Sequence, residues 1–231
     1  MKPILIIQAR MSSNRLPGKM MKSIGNTPLY KYVYNRCLQV NTIDNIVLAT
    51  STDKTDDILE CAALKDGIQT YRGSLDNVLN RFISCAKEYK KDSIIRVCGD
   101  SPFVDIELID CLTEIFIKDD IDYLSLNKNS IISGLDFEIV KLNALEKVQT
   151  LTTNQEDCEH VTRFIRNNPD LFKTKIVDSN FILDQCNTLT IDTYDDLVYC
   201  NQINENLKDM SGENRFDFKT SDIFYAIKSL S

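Results

Sequence analysis

The sequence has no long apolar run, no closely spaced cysteine pair and no excess of positive charge, and each absence excludes a class of protein. Its 231 residues contain no window close to the roughly 20 apolar residues that a membrane-spanning helix needs. The apolar run from Ile4 to Ile7 ends at Gln8 and Arg10 and is too short for a secretory signal. Seven scattered glycines and the lack of repeats or linkers predict one domain over residues 1–231.

The eight cysteines form no C-x-x-C motif, because the closest two lie 13 residues apart, which excludes the usual zinc and redox sites. Most fall in apparent helices among apolar neighbours: Cys37, Cys61, Cys85, Cys111 and Cys200. We therefore interpret the cysteines as small buried hydrophobic residues of a protein in the reducing cytoplasm.

The net charge is −7, from 27 basic and 34 acidic residues. A general nucleic-acid-binding protein is usually basic, so neither a nucleic acid nor a membrane is an expected partner. Any polyanion must instead bind at a local cluster of positive side chains.

The first half of the chain alternates predicted strands with predicted helices. The strands are Ile4–Ile7, Asn45–Thr50, Ile68–Tyr71 and Ser93–Cys98, and the helices are 26–40, Lys54–Asp66, Ser74–Lys90 and Ile106–Ile117. Repeated β-α-β units predict an α/β fold with a mostly parallel sheet that helices cover on both faces. Ligands bind beyond the carboxyl ends of such strands, so the chemistry is expected just after residues 7, 50, 71 and 98, and near residue 191.

The second half is less regular. Its predicted strands are Asp122–Leu126, Phe137–Val140, Phe172–Val177 and Leu189–Ile191, and its predicted helices are Leu142–Gln149, Asp157–Asn167, 193–207 and 220–229. The segment from about 125 to 175 reads as too strand-poor and interrupted to extend the sheet neatly.

The loop after the first strand, Gln8-Ala-Arg-Met-Ser-Ser-Asn-Arg-Leu-Pro-Gly-Lys19, combines three cations with two serines, a glycine and a proline. A triphosphate needs fixed cations, hydroxyl groups and free backbone N–H groups that converge on one place. The loop is neither a P-loop nor a G-x-G-x-x-G motif, because Met20 follows Lys19 and the glycine spacing is absent. The pattern indicates a triphosphate site, and the alternative is an exposed basic loop.

Two aspartates follow predicted strands. Asp100 lies at a Gly turn after the fourth strand, and Asp192 ends the segment Leu189-Thr-Ile-Asp192. One or two carboxylates together with phosphate oxygens commonly hold Mg²⁺. The alternative is that each aspartate caps the next helix, a role for which Asp105 is the better candidate near Asp100.

These segments together resemble the spore-coat-polysaccharide type of cytidylyltransferase, a group related to the acylneuraminate and 3-deoxy-octulosonate (KDO) cytidylyltransferases. The resemblance runs in family order from residue 4 to about 200. The matching segments are Ile6-Ile-Gln-Ala-Arg-Met, Arg15-Leu-Pro-Gly-Lys19, Val47-Leu-Ala-Thr-Ser-Thr52, Arg72-Gly-Ser, Asp76-Asn-Val-Leu, Arg96-x-x-Gly-Asp100-x-Pro, Gly134-Leu-Asp-Phe-Glu138, Glu159-His-Val-Thr162 and Leu189-Thr-Ile-Asp-Thr193.

The resemblance implies a three-layer α/β/α, Rossmann-like nucleotide-diphospho-sugar transferase fold. It implies transfer of CMP from CTP to a small acceptor with release of pyrophosphate, and Mg²⁺ as the cofactor. It also implies a homodimer, for which the segment 125–175 is the expected contact and part of the expected acceptor site.

The resemblance further implies a role for individual residues. Arg15, Lys19 and Asp100 are the expected catalytic residues, and Asp100 and Asp192 the expected Mg²⁺ ligands. The expected nucleotide-binding residues are Ala9, Arg10, Ser12, Ser13, Arg15, Lys19, Thr50, Ser51, Asp53, Arg72 and Asp76. The acceptor side is expected to use Asp136, Glu138 and His160.

The sequence departs from the family pattern mainly on the acceptor side. Ser12 replaces a common glycine, while Cys158 and Thr188 stand where relatives commonly carry arginine. Because two cations are absent, we expect poor use of acidic sugars such as sialic acid and KDO, and better use of a phosphorylated small molecule.

Alternatives remain for individual residues and for the function as a whole. His160, the only histidine, is equally well explained as a structural helix residue that bonds a carbonyl, and Arg81 and Arg163 as solvated helix residues. A glycosyltransferase of similar fold would use Asp120-Ile-Asp122 as its metal motif. A nucleotide-sensing or scaffold protein would have kept the fold and lost the chemistry.

Overall fold

Alternating apolar residues in the first strand, β1 (Ile4–Gln8), separate two hydrophobic layers. Leu5 and Ile7 pack into one layer, and Ile4 and Ile6 pack into the other. All four side chains are fully buried, as in a strand covered on both faces. The computed structural model describes residues 2–179, 181–182, 188–208 and 216–230.

The strands form one large sheet and one small hairpin-like pair. They are β1, β2 (Ser23–Ile24), β3 (Thr27–Pro28), β4 (Asn45–Ser51), β5 (Thr70–Gly73), β6 (Ser93–Cys98), β7 (Tyr123–Leu126), β8 (Glu138–Lys141) and β9 (Thr174–Val177). The large sheet has the strand order β5-β4-β1-β6-β8-β7-β9, and β2 pairs with β3. Only β8 runs against its neighbours among these seven strands. The predicted mostly parallel α/β sheet is confirmed.

Helices cover both faces of the sheet. They are α1 (Leu29–Cys37), α2 (Asp57–Lys65), α3 (Val78–Glu88), α4 (Ile106–Lys118), α5 (Leu142–Leu151), α6 (Gln155–Glu159), α7 (Arg163–Asn167), α8 (Tyr194–Lys208) and α9 (Thr220–Lys228). Apolar residues of α1, α4, α8 and α9 pack in the layer of Leu5, and those of α3, α5 and α7 pack in the layer of Ile4. Within the described residues, no helix is both long and apolar enough to cross a bilayer.

Three predictions for the second half are wrong in detail. Residues Leu189–Ile191 form no strand, because the N–H groups of Leu189 and Ile191 donate to the carbonyls of Ser133 and Asp100 instead. The single helix predicted over Asp157–Asn167 is interrupted, and α6 and α7 replace it. The segment 125–175 does extend the sheet, since it contributes β8 and the start of β9.

The cysteine interpretation holds for part of the chain. Cys37, Cys85 and Cys200 are buried, but Cys61 and Cys111 are exposed on the outer faces of α2 and α4, so for these two it is wrong. Cys98 and Cys158 are half-buried, and Cys186 lies outside the described residues.

Two glycines with left-handed backbone provide a test of the packing beside β8. Gly134 has φ +101°, and a Cβ atom there would lie 2.6 Å from the carbonyl carbon of Leu189. Gly67 has φ +74°, but a Cβ atom there would meet nothing within 4 Å.

We expect Gly134→Ala to lower the free energy of unfolding by about 2–5 kcal/mol, because backbone strain and overpacking act together. The matched variant Gly67→Ala carries only the strain, which costs about 1–2 kcal/mol. Urea denaturation followed by circular dichroism measures both. Equal losses would show that the backbone around Leu189 yields without cost.

Candidate active site

A buried aspartate anchors the loop that follows β1. The carboxylate of Asp56 accepts hydrogen bonds from the N–H of Met11, at 2.6 Å, and from the N–H and hydroxyl of Ser51 at the end of β4. The carbonyl of Met11 in turn accepts from the N–H groups of Ser13 and Gly18. The loop is therefore folded back on itself and tied to the neighbouring strand.

Lys19 lies at the end of this loop and contacts both predicted metal ligands. Its Nζ donates to Asp100 Oδ2 at 2.7 Å, to Asp192 Oδ1 at 3.0 Å and to the carbonyl of Ile191 at 3.0 Å. Arg15 makes an ion pair with the other oxygen of Asp192, at 2.9 Å. The structure thus brings together Arg15, Lys19, Asp100 and Asp192.

Neither aspartate of this cluster caps a helix. Asp105 accepts from the N–H of Leu108 and caps α4, so Asp100 has no such role. The hydroxyl of Thr193 accepts from the N–H of Asp196 at the start of α8, and the Asp196 carboxylate accepts from the N–H of Asp192. Both carboxylates are therefore left to face Lys19, and the helix-cap alternatives are wrong.

The charges of the cluster stabilise one another. The side chain of Lys19 is 10% exposed, and this burial would lower its pKa. The neighbouring carboxylates of Asp100 and Asp192 more than offset that effect, so the pKa of Lys19 is raised. The lysine is consequently a fixed cation at neutral pH.

A cavity of about 330 Å³ opens at this cluster. It lies at the carboxyl ends of β1 and β6, where the strand order reverses, as is typical of ligand sites in open α/β sheets. Its lining includes these residues predicted for nucleotide, metal or catalysis: Ala9, Arg10, Ser12, Ser13, Arg15, Lys19, Asp100 and Asp192.

The remaining residues predicted for nucleotide binding are not part of this lining: Thr50, Ser51, Asp53, Arg72 and Asp76. Arg72 donates to the carbonyls of Ser51 and Asp53, and Asp53 caps the turn that begins at Lys54. Thr50 is fully buried, and its hydroxyl has no partner among the described residues. Their role in nucleotide binding stays a prediction.

A second cavity, of about 230 Å³, shares Cys98 and Asp100 with the first. All three residues predicted for the acceptor line it, namely Asp136, Glu138 and His160. Asp136 accepts from the N–H of Gly134, and the exposed His160 side chain makes no hydrogen bond with a described residue. Two adjoining cavities therefore meet at Asp100.

Glu138 is the centre of a buried network in the wall of this second cavity. Its carboxylate pairs with Arg96 and Arg166 and accepts hydrogen bonds from the hydroxyls of Tyr123 and Thr162. Burial alone would raise the pKa of Glu138, but the two arginines and two hydroxyls lower it to about 2. Two positive charges thus meet one negative charge in this wall.

The same network explains why the helix predicted over Asp157–Asn167 is interrupted. Val161, between α6 and α7, has φ +27°, which is rare for a β-branched residue. The break brings the hydroxyl of Thr162 to within 2.8 Å of Glu138.

Three arginines that line the cavities were not predicted as site residues. Arg96 and Arg166 line the second cavity, and Arg81 lines the first. Arg81 is 1% exposed, so its interpretation as a solvated residue is wrong; it donates to the carbonyls of Ser74, Leu75 and Ala49. Burial lowers the pKa of Arg81, although the negative charge of Asp56 partly opposes this shift.

Arg163, the other residue interpreted as solvated, is half-buried and pairs with Glu156 and Asp157.

The motif Asp120-Ile-Asp122 lies away from both cavities. It precedes β7 and so belongs to the amino end of that strand, at the opposite edge of the sheet. Lys141 forms ion pairs with both carboxylates. The motif therefore gives no support to a glycosyltransferase.

The oxygen atoms around Lys19 suit a hard divalent cation. Two carboxylates and one backbone carbonyl point at the same place, and Mg²⁺ is commonly held by one or two carboxylates plus substrate phosphates. Among the described residues, no group of three or more His, Cys, Asp or Glu side chains could hold a metal. The residues present thus fit a metal that phosphate oxygens help to bind.

The chain is similar in sequence and in structure to known proteins. The family model described as cytidylyltransferase matches residues 4–223. The spore coat polysaccharide biosynthesis protein SpsF of Bacillus subtilis is 38% identical over 202 residues, covering 84% of this chain and 82% of that protein. A cytidylyltransferase structure from Leptospira borgpetersenii has a TM-score of 0.88 at 28% identity, over 100% of this chain and 95% of that one.

A more distant structure supports the fold alone. CMP:2-keto-3-deoxy-manno-octonic acid synthetase, complexed with CTP, has a TM-score of 0.68 at 18% identity and covers 87% of this chain and 97% of that one. The fold is thus the Rossmann-like fold of nucleotidyltransferases. Within that class, the chain belongs to the cytidylyltransferase family.

The depressed pKa of Glu138 predicts a dependence of stability on pH. The carboxyl titrates near pH 2 in the folded protein and near about 4.3 when unfolded, so its stabilisation is complete above the unfolded value and is lost as the pH falls towards 2. At neutral pH, we expect Glu138→Gln to cost about 3–5 kcal/mol, because the buried carboxylate that Arg96 and Arg166 share loses its charge.

The measurement is urea unfolding at several pH values between neutral and acid. The variant should lose less of its stability than the wild type as the medium becomes acidic. Glu114→Gln, at an exposed position on α4, is the control and should behave as the wild type. Parallel pH profiles for Glu138→Gln and the wild type would contradict the prediction.

Proposed function

We propose that this protein is a Mg²⁺-dependent cytidylyltransferase that transfers CMP from CTP to a small acceptor and releases pyrophosphate. The observation that carries the proposal is the junction of two cavities at Asp100, one lined by the cationic loop and the other by the Glu138 network. A triphosphate in the first cavity would present its α-phosphorus to an acceptor in the second.

The residues of the first cavity suit phosphoryl chemistry, which depends on positioning and charge neutralisation. An acceptor oxygen attacks the α-phosphorus in line, a new P–O bond forms, and the bond to the β-phosphate oxygen breaks. Arg15 and Lys19 would neutralise the charge that develops on the leaving pyrophosphate. Burial raises the pKa of the Cys98 thiol to about 12, so no thiolate nucleophile competes with the acceptor.

Asp100 and Asp192 would hold Mg²⁺, which supplies charge neutralisation at the phosphate oxygens. The protein must therefore hold both carboxylates so that they face one point. Asp100 and Asp192 already share one cationic contact, and the N–H of Ile191, next to Asp192, donates to the carbonyl of Asp100 and holds the two segments together.

The acceptor cavity favours an anionic acceptor. Arg96 and Arg166 share a single carboxylate, and the exposed Lys128 at the rim has no ion pair with any residue that the structure describes. A phosphate-bearing acceptor could attack with an oxygen that is already anionic, which removes the need for a general base.

The biological setting follows from the relatives. SpsF of Bacillus subtilis is named for polysaccharide biosynthesis, and we extend this to the synthesis of a surface-glycan or capsule precursor in the cytoplasm. The proposal includes a homodimer. The edge strand β9, with Ile176 66% exposed, is the surface that supports such a contact.

The first test combines four nucleoside triphosphates with a panel of acceptors and measures pyrophosphate release. We expect release with CTP, and a higher kcat/KM for phosphorylated sugars or phosphorylated amino-acid derivatives than for KDO or sialic acid. Each missing arginine contact is worth about 1.5–3 kcal/mol for a carboxylate. Turnover of KDO or sialic acid above every phosphorylated acceptor would overturn the acceptor assignment.

The second test concerns the metal ligands. Asp100→Asn and Asp192→Asn should each reduce Mg²⁺-dependent pyrophosphate release by at least about 100-fold, since one donor to the metal loses its charge. Asp195→Asn, on the exposed first turn of α8, is the matched control and should remain active. Near-normal turnover of a correctly folded Asp100→Asn would refute the assignment.

A further inference from the structure

Lys19 occupies the place that a divalent cation would take in the active site. Its ammonium group has three N–H donors, and three oxygens accept from it: Asp100 Oδ2, Asp192 Oδ1 and the carbonyl of Ile191. No donor of Lys19 remains for a phosphate while these three bonds persist. The oxygen atoms that would bind a metal all accept hydrogen bonds from the ammonium group.

The charge of the cluster is balanced without a metal. Asp100 and Asp192 contribute two negative charges, and Lys19 and Arg15 contribute two positive charges within ion-pair distance. Since the side chains of Asp100 and Asp192 are each only about a quarter exposed, a divalent cation that entered would have to displace a buried ammonium. Entry without this displacement would put two cations against the same carboxylates, which is costly in a partly buried site.

We infer that Lys19 excludes Mg²⁺ from the nucleotide-free protein, and that the triphosphate admits the metal by drawing Lys19 away from Asp100 and Asp192. This inference rests on the proposed function only for the identity of the nucleotide. The exclusion of Mg²⁺ by Lys19 does not depend on the proposed function. Lys19 thereby has a second role as a positioning residue, because Mg²⁺ binds to Asp100 and Asp192 only when the nucleotide is bound.

The inference implies coupled binding. If the nucleotide raises the affinity for the metal by some factor, the metal must raise the affinity for the nucleotide by the same factor. The protein would then not hold Mg²⁺ alone, and it would load the triphosphate and the metal together. Lys19 and Arg15 would move from the carboxylates to the negatively charged phosphates, and Mg²⁺ would take their place at the carboxylates.

The test is Mn²⁺ binding to the nucleotide-free protein, measured from the electron paramagnetic resonance signal of free Mn²⁺. Lys19→Met keeps the length of the side chain and removes its charge, and we expect at least tenfold tighter Mn²⁺ binding than in the wild type. Lys22→Met removes a nearby lysine that has no part in the cluster, and it controls for the change in net charge. It should bind Mn²⁺ as weakly as the wild type.

Two further measurements make the result decisive. The double variant Lys19→Met with Asp100→Asn should lose the added affinity, and full retention would place the metal elsewhere and overturn the inference. For the wild type, water-proton relaxation should report tight Mn²⁺ binding only when a non-hydrolysable CTP analogue is present. Equally tight binding without the analogue would overturn the inference even if Lys19→Met failed to fold.

The outcome is separate from that of the proposed function. Exclusion of Mn²⁺ by Lys19 together with absent pyrophosphate release would uphold the inference and reject the cytidylyltransferase reaction. Pyrophosphate release from CTP together with strong Mn²⁺ binding to the nucleotide-free wild type would do the reverse.

Discussion

The ammonium group of Lys19 is the point at which three distant segments of the chain meet. It joins the loop after β1 to the turn after β6 and to the segment before α8, across 81 and 173 residues. Without it, Asp100 would lose its cationic partner and only Arg15 would remain to pair with Asp192. The shape of the first cavity and the direction of both aspartates depend on this contact.

The site residues that come after a strand could be predicted from sequence, because the end of a strand fixes the edge of the sheet at which the following residues lie. The runs Ile4–Ile7 and Ser93–Cys98 predict β1 and β6, and therefore place Lys19 and Asp100 near the same edge of the sheet. Family motifs then assign Asp192, which local pattern alone could not distinguish from a helix cap. The same motifs single out Glu138, which lines the second cavity.

The remaining parts depend on contacts that no local pattern carries. Arg81 sits on an amphipathic helix, and only the approach of β4 and the Ser74–Leu75 turn makes its surroundings buried. Arg166 belongs to the site because the chain breaks at Val161, a conformation that the sequence disfavours. Leu189 and Ile191 have strand-like composition, but their hydrogen bonds go to loops rather than to a neighbouring strand.

The antiparallel strand β8 has a consequence for how the chain folds. It lies between β6 and β7, both of which precede it in the chain, so the sheet cannot be completed in the order of synthesis. The parallel unit β5-β4-β1-β6 is built from residues before 100 and forms by sequential crossovers. The unit of β7, β8 and β9 then docks through one edge, that between β6 and β8. A nascent chain would thus contain the loop after β1 well before it contained the wall of the second cavity.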